Sequence, residues 1–115
     1  MELIEKYLAI WNETDPNSRR GLIDQVWAQD GTYTDPLAQV AGRDQIDALV
    51  GAVQQQFPGL VFRLGGPVDA HHDLARFTWH LGHPDAEPIA IGFDVAVIHD
   101  GHVAAVHGFL DRVPC

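Results

Sequence analysis

Three side chains in this sequence have the type and the surroundings for acid–base chemistry. Asp35 closes the run Thr32-Tyr33-Thr34-Asp35, whose β-branched, aromatic and polar residues predict a short strand. Pro36 follows, holding Asp35 extended and donating no backbone hydrogen bond, so a carboxylate is presented at a strand end. Pointing inward, it enters an apolar interior, where an isolated carboxylate is costly unless it has a use. Pointing outward, it caps the local turn, as Asp before Pro often does. Asp94 lies in Ile91-Gly92-Phe93-Asp94-Val95-Ala96-Val97-Ile98, with apolar residues on both sides. Aspartate is depleted from strand interiors, so Asp94 is either a solvent- or subunit-facing residue or a buried functional one. Tyr7 is central in the helical stripe Leu3, Ile4, Tyr7, Leu8, Trp11, and its hydroxyl needs a partner or a ligand.

Other chemistries find less support. The single serine, Ser18, sits at a helix start and makes a poor nucleophile. The histidines occur as His71-His72, His80-x-x-His83 and His99-x-x-His102 near turns or strand ends, with His107 alone on the last strand. None has the i, i+4 helical spacing of a zinc protease, and the one cysteine is Cys115. Gly65-Gly66-Pro67 lacks the lysine and following helix of a phosphate loop. Neither metal nor cofactor is expected.

The elements that must position these residues fall into two groups. Helical periodicity predicts a helix over 2–13 and a second from Asp15-Pro16, with Leu22, Ile23, Val26 and Trp27 on its apolar face. Gln29-Asp30-Gly31 is expected to break it. A small hairpin joins the strand ending at Asp35 to 38–41, and Gly42 precedes a third helix carrying Ile46, Leu49, Val50, Val53 and Phe57. Pro58-Gly59 stops that helix. Thereafter the period is two: Leu60–Leu64 and Val68–Ala70 around a bend at Gly65-Gly66-Pro67, then Leu74–Gly82, Pro88–Ile98 and His102–Leu110. Helices early and antiparallel strands late indicate an α+β fold with three helices packed in the concavity of a curved antiparallel sheet. Such a cone leaves an apolar pocket suited to a small molecule.

The chain of 115 residues reads as one domain, 1–115, with 46% hydrophobic residues and net charge −9. That charge argues against nucleic acid or an anionic membrane as a partner. No apolar run approaches a membrane span, no signal segment opens the chain, and cysteine usage fits the cytoplasm.

The order of elements resembles the nuclear transport factor 2 superfamily of cystatin-like α+β cones, and within it the SnoaL-like polyketide cyclases and the ketosteroid isomerases. The matching pieces are Lys6-Tyr7-Leu8-Ala9 with Asn12 and Asp15, Tyr33-Thr34-Asp35-Pro36-Leu37, Gly42-Arg43-Asp44-Gln45-Ile46, Ile91-Gly92-Phe93-Asp94 and Val103 to Leu110. In the isomerases a tyrosine of the first helix and an aspartate of the penultimate strand donate hydrogen bonds to the substrate oxyanion, while an aspartate before a proline shuttles the proton. The resemblance implies these roles for Tyr7, Asp94 and Asp35. It implies an isomerase or cyclase that abstracts a proton α to a carbonyl, without cofactor. Trp11, Trp27, Phe57, Phe62, Phe77, Trp79, Val106 and Leu110 are expected in the apolar wall. The alternative is a non-catalytic binding module for a small apolar ligand. An epoxide-hydrolase arrangement needs an arginine between two aspartates; Arg63 or Arg76 is available, but Arg76 has the wrong parity against Phe77 and Trp79. Arg76, Thr78 and His80 should lie on the outer sheet face, where a homodimer is expected.

Overall fold

The computed structural model describes residues 1–114, in the order α1 (Glu2–Asn12), α2 (Pro16–Val26), β1 (Trp27–Thr34), β2 (Gln39–Ala41), α3 (Arg43–Gln56), β3 (Val61–Leu64), β4 (Asp69–His71), β5 (Leu74–Gly82), β6 (Ala90–His99) and β7 (His102–Arg112). The fold is α+β, with three helices against a curved, unclosed sheet. Its strands run β2-β1-β7-β6-β5-β3, with β4 also paired to β5. The strands β3, β5, β6 and β7 pair antiparallel, but β1 runs parallel to β7. The sheet is therefore mixed, which corrects the expectation of a wholly antiparallel one. A parallel pair needs a long crossover, and everything from β2 to β6 supplies it.

The helices form where their apolar spacing allows one face to be buried. Ile4, Tyr7, Leu8 and Trp11 of α1 enter the core with Ile46 and Val50 of α3 and Ile23 and Val26 of α2. Asp15 caps α2 by accepting from Ser18 N at 2.9 Å, with Pro16 in its first turn. Three polar side chains fasten helix ends. Asn12 Nδ2 donates to Phe62 O while Asn12 Oδ1 accepts from Phe62 N, both at 2.8 Å, joining α1 to β3. Gln54 Nε2 donates to Trp11 O and Glu13 O, and Arg43 donates to Trp27 O and Asp24 O.

Two boundaries differ from expectation. Trp27 leaves α2 and begins β1, and Gln29-Asp30-Gly31 runs inside β1 instead of breaking the chain. The register slips between Trp27 and Thr32, so these residues form an irregular stretch of strand. The Trp27 indole lies over Gly31, where a Cβ would sit 2.6 Å from the ring. Gly31 is present for space. Elsewhere the bend at Gly65-Gly66-Pro67 separates β3 from β4 along β5, and Asp100-Gly101, both at positive φ, turn β6 into β7.

These contacts separate two glycines that look alike in the sequence. Gly31→Ala should destabilise the protein by about 1–3 kcal/mol through overpacking against Trp27. Gly21→Ala, in a helix with nothing within 4 Å of the added Cβ, should stabilise it by about 0.5–1 kcal/mol. Urea denaturation of the two variants should move the midpoint in opposite directions.

Candidate active site

The cavity begins with an inversion of side-chain size along β6. Its inner face carries Ala90, Gly92, Asp94 and Ala96, all buried, while Ile91, Phe93, Val95 and Val97 point outward. Small residues facing the helices leave a cavity of about 380 Å³ between the sheet, α1 and α3. Tyr7, Trp11, Tyr33, Asp35, Phe57, Phe62, Trp79, Asp94 and Leu110 line it, together with aliphatic positions such as Leu49, Val53 and Leu81. Leu37, 83% exposed, and Val113 with Pro114 form an apolar rim.

Asp94 is 2% exposed, the one buried charged residue among those described. Tyr7 Oη donates to its Oδ2 over 3.4 Å, a long bond, and its buried Oδ1 has no partner. Burial pushes the Asp94 carboxyl up to about 7; the nearby Trp79 indole N–H and the Tyr7 hydroxyl oppose the shift, and the Asp35 charge adds to it. Gly92 makes room for the Trp79 indole, which occupies the place a Cβ would need. Gly108, paired across from Asp94, does the same on the other side. A Cβ there would meet Asp94 Oδ1 at 2.8 Å and Asp35 Cβ at 3.3 Å, so the two aspartates flank this glycine.

Asp35 combines both readings of its sequence. Its Oδ1 accepts from Leu37 N and Ala38 N at 2.8 Å each, capping the hairpin, and the same carboxylate lines the cavity. Tyr33 Oη donates to Asp35 Oδ2 at 2.8 Å. Burial raises the Tyr33 hydroxyl well above its ordinary value, and the charges of Asp94 and Asp35 raise it further. Tyr7 is raised by burial first and by Asp94 next. Both phenols are thus held neutral, as donors.

Of the expected wall residues, Trp11, Phe57, Phe62, Trp79 and Leu110 line the cavity. Trp27, Phe77 and Val106 do not; they are buried behind it. Parity gives the face but not the depth. Trp27 and Phe77 pack on the Tyr7 ring, with centroids 6.0 and 5.8 Å away, and so hold its hydroxyl in place. Arg76 is exposed and paired with Asp69, and neither it nor Arg63 lines the cavity. His80 and His107 lie on the outer face, opposite in parity to the lining residues Trp79 and Leu81 and to buried Val106 and Gly108. Sequence reasoning passes over Tyr33, although i, i+2 spacing in a strand already sets it on the face of Asp35.

Comparison with known proteins agrees with this architecture. The SnoaL-like domain family profile matches residues 4–108. The chain belongs to the SnoaL-like family. A SnoaL-like protein of Agrobacterium tumefaciens strain C58, provisionally called an isomerase, is 42% identical, with 96% of this chain and 95% of that one covered and a TM-score of 0.90. A protein of Catenulispora acidiphila with a ketosteroid isomerase-like fold, in complex with trimethylamine, is 18% identical over 93% of this chain and 83% of that one, with a TM-score of 0.76. A Sinorhizobium meliloti protein, provisionally called a polyketide cyclase, is 16% identical over 94% of each chain, with a TM-score of 0.74. Among curated proteins, none matches by sequence. No helix among the described residues is long and apolar enough to cross a membrane.

The Asp94 environment has a consequence for stability. The unfolded chain releases this proton near the ordinary value of 3.8, the folded chain near 7. Stability is therefore full below about pH 4, falls between pH 4 and 7, and carries a constant penalty above. Asp94→Asn should remove that slope. Unfolding free energies measured from pH 4 to 8 should show the variant gaining a few kcal/mol relative to the parent across this interval; parallel curves would mean an ordinary, solvated carboxyl.

Proposed function

We propose that this SnoaL-like protein catalyses proton transfer at a carbon α to a carbonyl, as an isomerase or cyclase working without a cofactor. The observation that carries this reading is the meeting of three groups in one apolar cavity: Tyr7, the buried Asp94 with its free Oδ1, and Asp35 across Gly108. A substrate carbonyl oxygen takes its place against Tyr7 and protonated Asp94. Asp35 removes the α-proton through Oδ2, since Oδ1 already accepts two backbone bonds. The C–H electron pair becomes the new C=C bond as the carbonyl π pair moves onto oxygen, and two donors in a largely apolar cavity stabilise the resulting enolate. Isomerisation follows if Asp35 returns the proton to another carbon of the enolate. Cyclisation follows if the enolate carbon attacks an electrophilic carbon of the same molecule. The long Tyr7–Asp94 bond suits this role, because both groups can exchange a weak mutual contact for the oxyanion.

A second reading is binding of a small apolar ligand without chemistry; that a cavity of this fold can hold a small molecule draws support from the Catenulispora acidiphila neighbour in complex with trimethylamine. The two part on exchange. Cyclic ketones from cyclohexanone to tetralone, incubated in D2O, should lose α-protons faster with enzyme. Asp35→Asn should slow this by at least ~10²-fold with the fold intact, and the rate should decline as pH rises through about 7 and Asp94 loses its proton. Binding of these ketones with no exchange above buffer would favour the second reading.

We further propose that the protein acts in the cytoplasm as a homodimer paired through the outer sheet face. Phe93 and Phe109 stand opposite each other across β6 and β7, and Phe109 is 59% exposed. Sedimentation at micromolar concentration should give twice the 12.7 kDa chain mass. Phe109→Asp should shift it to monomer; a parent that sediments as monomer removes the proposal.

A further inference from the structure

Apart from any role in enolate chemistry, the charged groups of the cavity are all of one sign. Among its lining residues are two carboxyl groups, Asp35 and Asp94, and no lysine, arginine or histidine. The net charge of −9 gives the surrounding field the same sign. One side is a chain of rings: Tyr33 to Trp11 at 5.6 Å, Trp11 to Phe62 at 5.5 Å and Phe62 to Trp79 at 5.2 Å between centroids. Successive rings are tilted or edge-on, forming a wall instead of a stack. Aromatic faces attract alkylammonium groups, most strongly where water is excluded. Against that wall stands Asp94, with a buried carboxyl oxygen that no donor satisfies.

We propose that the cavity is a binding site for compact alkylammonium ions, whose methyl groups pack on Trp11, Phe62 and Trp79 while the Asp94 carboxylate meets the charge. The binding step makes and breaks no covalent bond in the ligand, and it stands whether or not the ketone chemistry does. Where Asp94 is protonated, binding releases one proton to solvent. The groups facing Asp94 permit this: Tyr7 from α1 and Tyr33 from β1 are neutral donors, Trp79 from β5 is a donor, and Gly108 of β7 carries no side chain. Asp35, just past the end of β1, is the one other charge at the site, and its sign favours a cation too. An anionic ligand would meet two carboxyl groups and no opposite charge.

Three molecules of nearly equal shape separate charge from size: choline, its carbon isostere 3,3-dimethylbutan-1-ol, and 3,3-dimethylbutanoate. Calorimetric titration of the full chain at pH 8 should show choline binding at least ~10-fold more tightly than the alcohol, and the carboxylate more weakly than either. Choline affinity should fall about tenfold from pH 8 to pH 6, as a carboxyl with a pKa of about 7 gains its proton. Asp94→Asn should shrink the preference and abolish the pH dependence. Trp79→Leu should weaken choline binding and keep its pH dependence, which preserves the test should Asp94→Asn fail to fold. Equal affinity for choline and the alcohol, preference for the carboxylate, pH-independent choline binding, or no binding of any of the three would overturn the proposal. Ketone exchange is measured separately, so failure here leaves that reading standing, and the reverse also holds.

Discussion

A carboxyl group removed from water is the constraint around which this protein is built. Asp94 loses hydration that a single long bond from Tyr7 does not replace. The cost is lowest when the group keeps its proton, and burial favours that form. Everything near it serves the same end. Phe77 and Trp27 fix Tyr7, Gly92 admits the Trp79 indole, and Gly108 leaves the space that Asp94 Oδ1 and Asp35 share. Converting both glycines to alanine would fill the site from two sides while changing no polar atom.

The same constraint explains the unusual distribution of bulk on β6. An inner face of Ala90, Gly92, Asp94 and Ala96 cannot fill the space under α1 and α3, so the core divides. One half, around Ile4, Ile23, Phe77 and Val106, is packed solid; the other, toward Phe57, Phe62 and Leu110, stays open. The hydrophobic residues that β6 withholds from the interior appear on its outer side as Ile91, Phe93, Val95 and Val97. Cavity and apolar outer face are two results of one alternating pattern.

Much of this was legible because periodicity is a local property. The stripe in α1, the period-two strands after Gly59 and the Asp100-Gly101 turn follow from near-neighbour spacing; they set Tyr7 on the buried face of α1 but leave open whether Asp94 faces the core or the outside. Pro36 and the hairpin place Asp35 at a strand end, while its double part as turn cap and cavity lining shows only in the fold. What spacing does not carry is distance through the core. It assigns Phe77 and Trp79 to one face of β5, yet the first is covered by Tyr7 and the second is open to the cavity. It treats Gly31 as a breaker, because only the folded Trp27 ring reveals the space that glycine leaves. Strand direction is equally silent: nothing in Trp27–Thr34 tells whether its neighbour runs parallel, and that neighbour, β7, lies some seventy residues on.

The Asn12 clamp bears on how the sheet meets the outside world. Strand β3 ends the row β2-β1-β7-β6-β5-β3, and a terminal strand ordinarily offers its free amides and carbonyls to any passing chain. At Phe62 both groups are already taken, by one side chain from α1 that imitates a neighbouring backbone. A strand arriving from another molecule would have to displace that amide before gaining its first rung. The border of the sheet is thus closed at this point by a residue that touches neither aspartate.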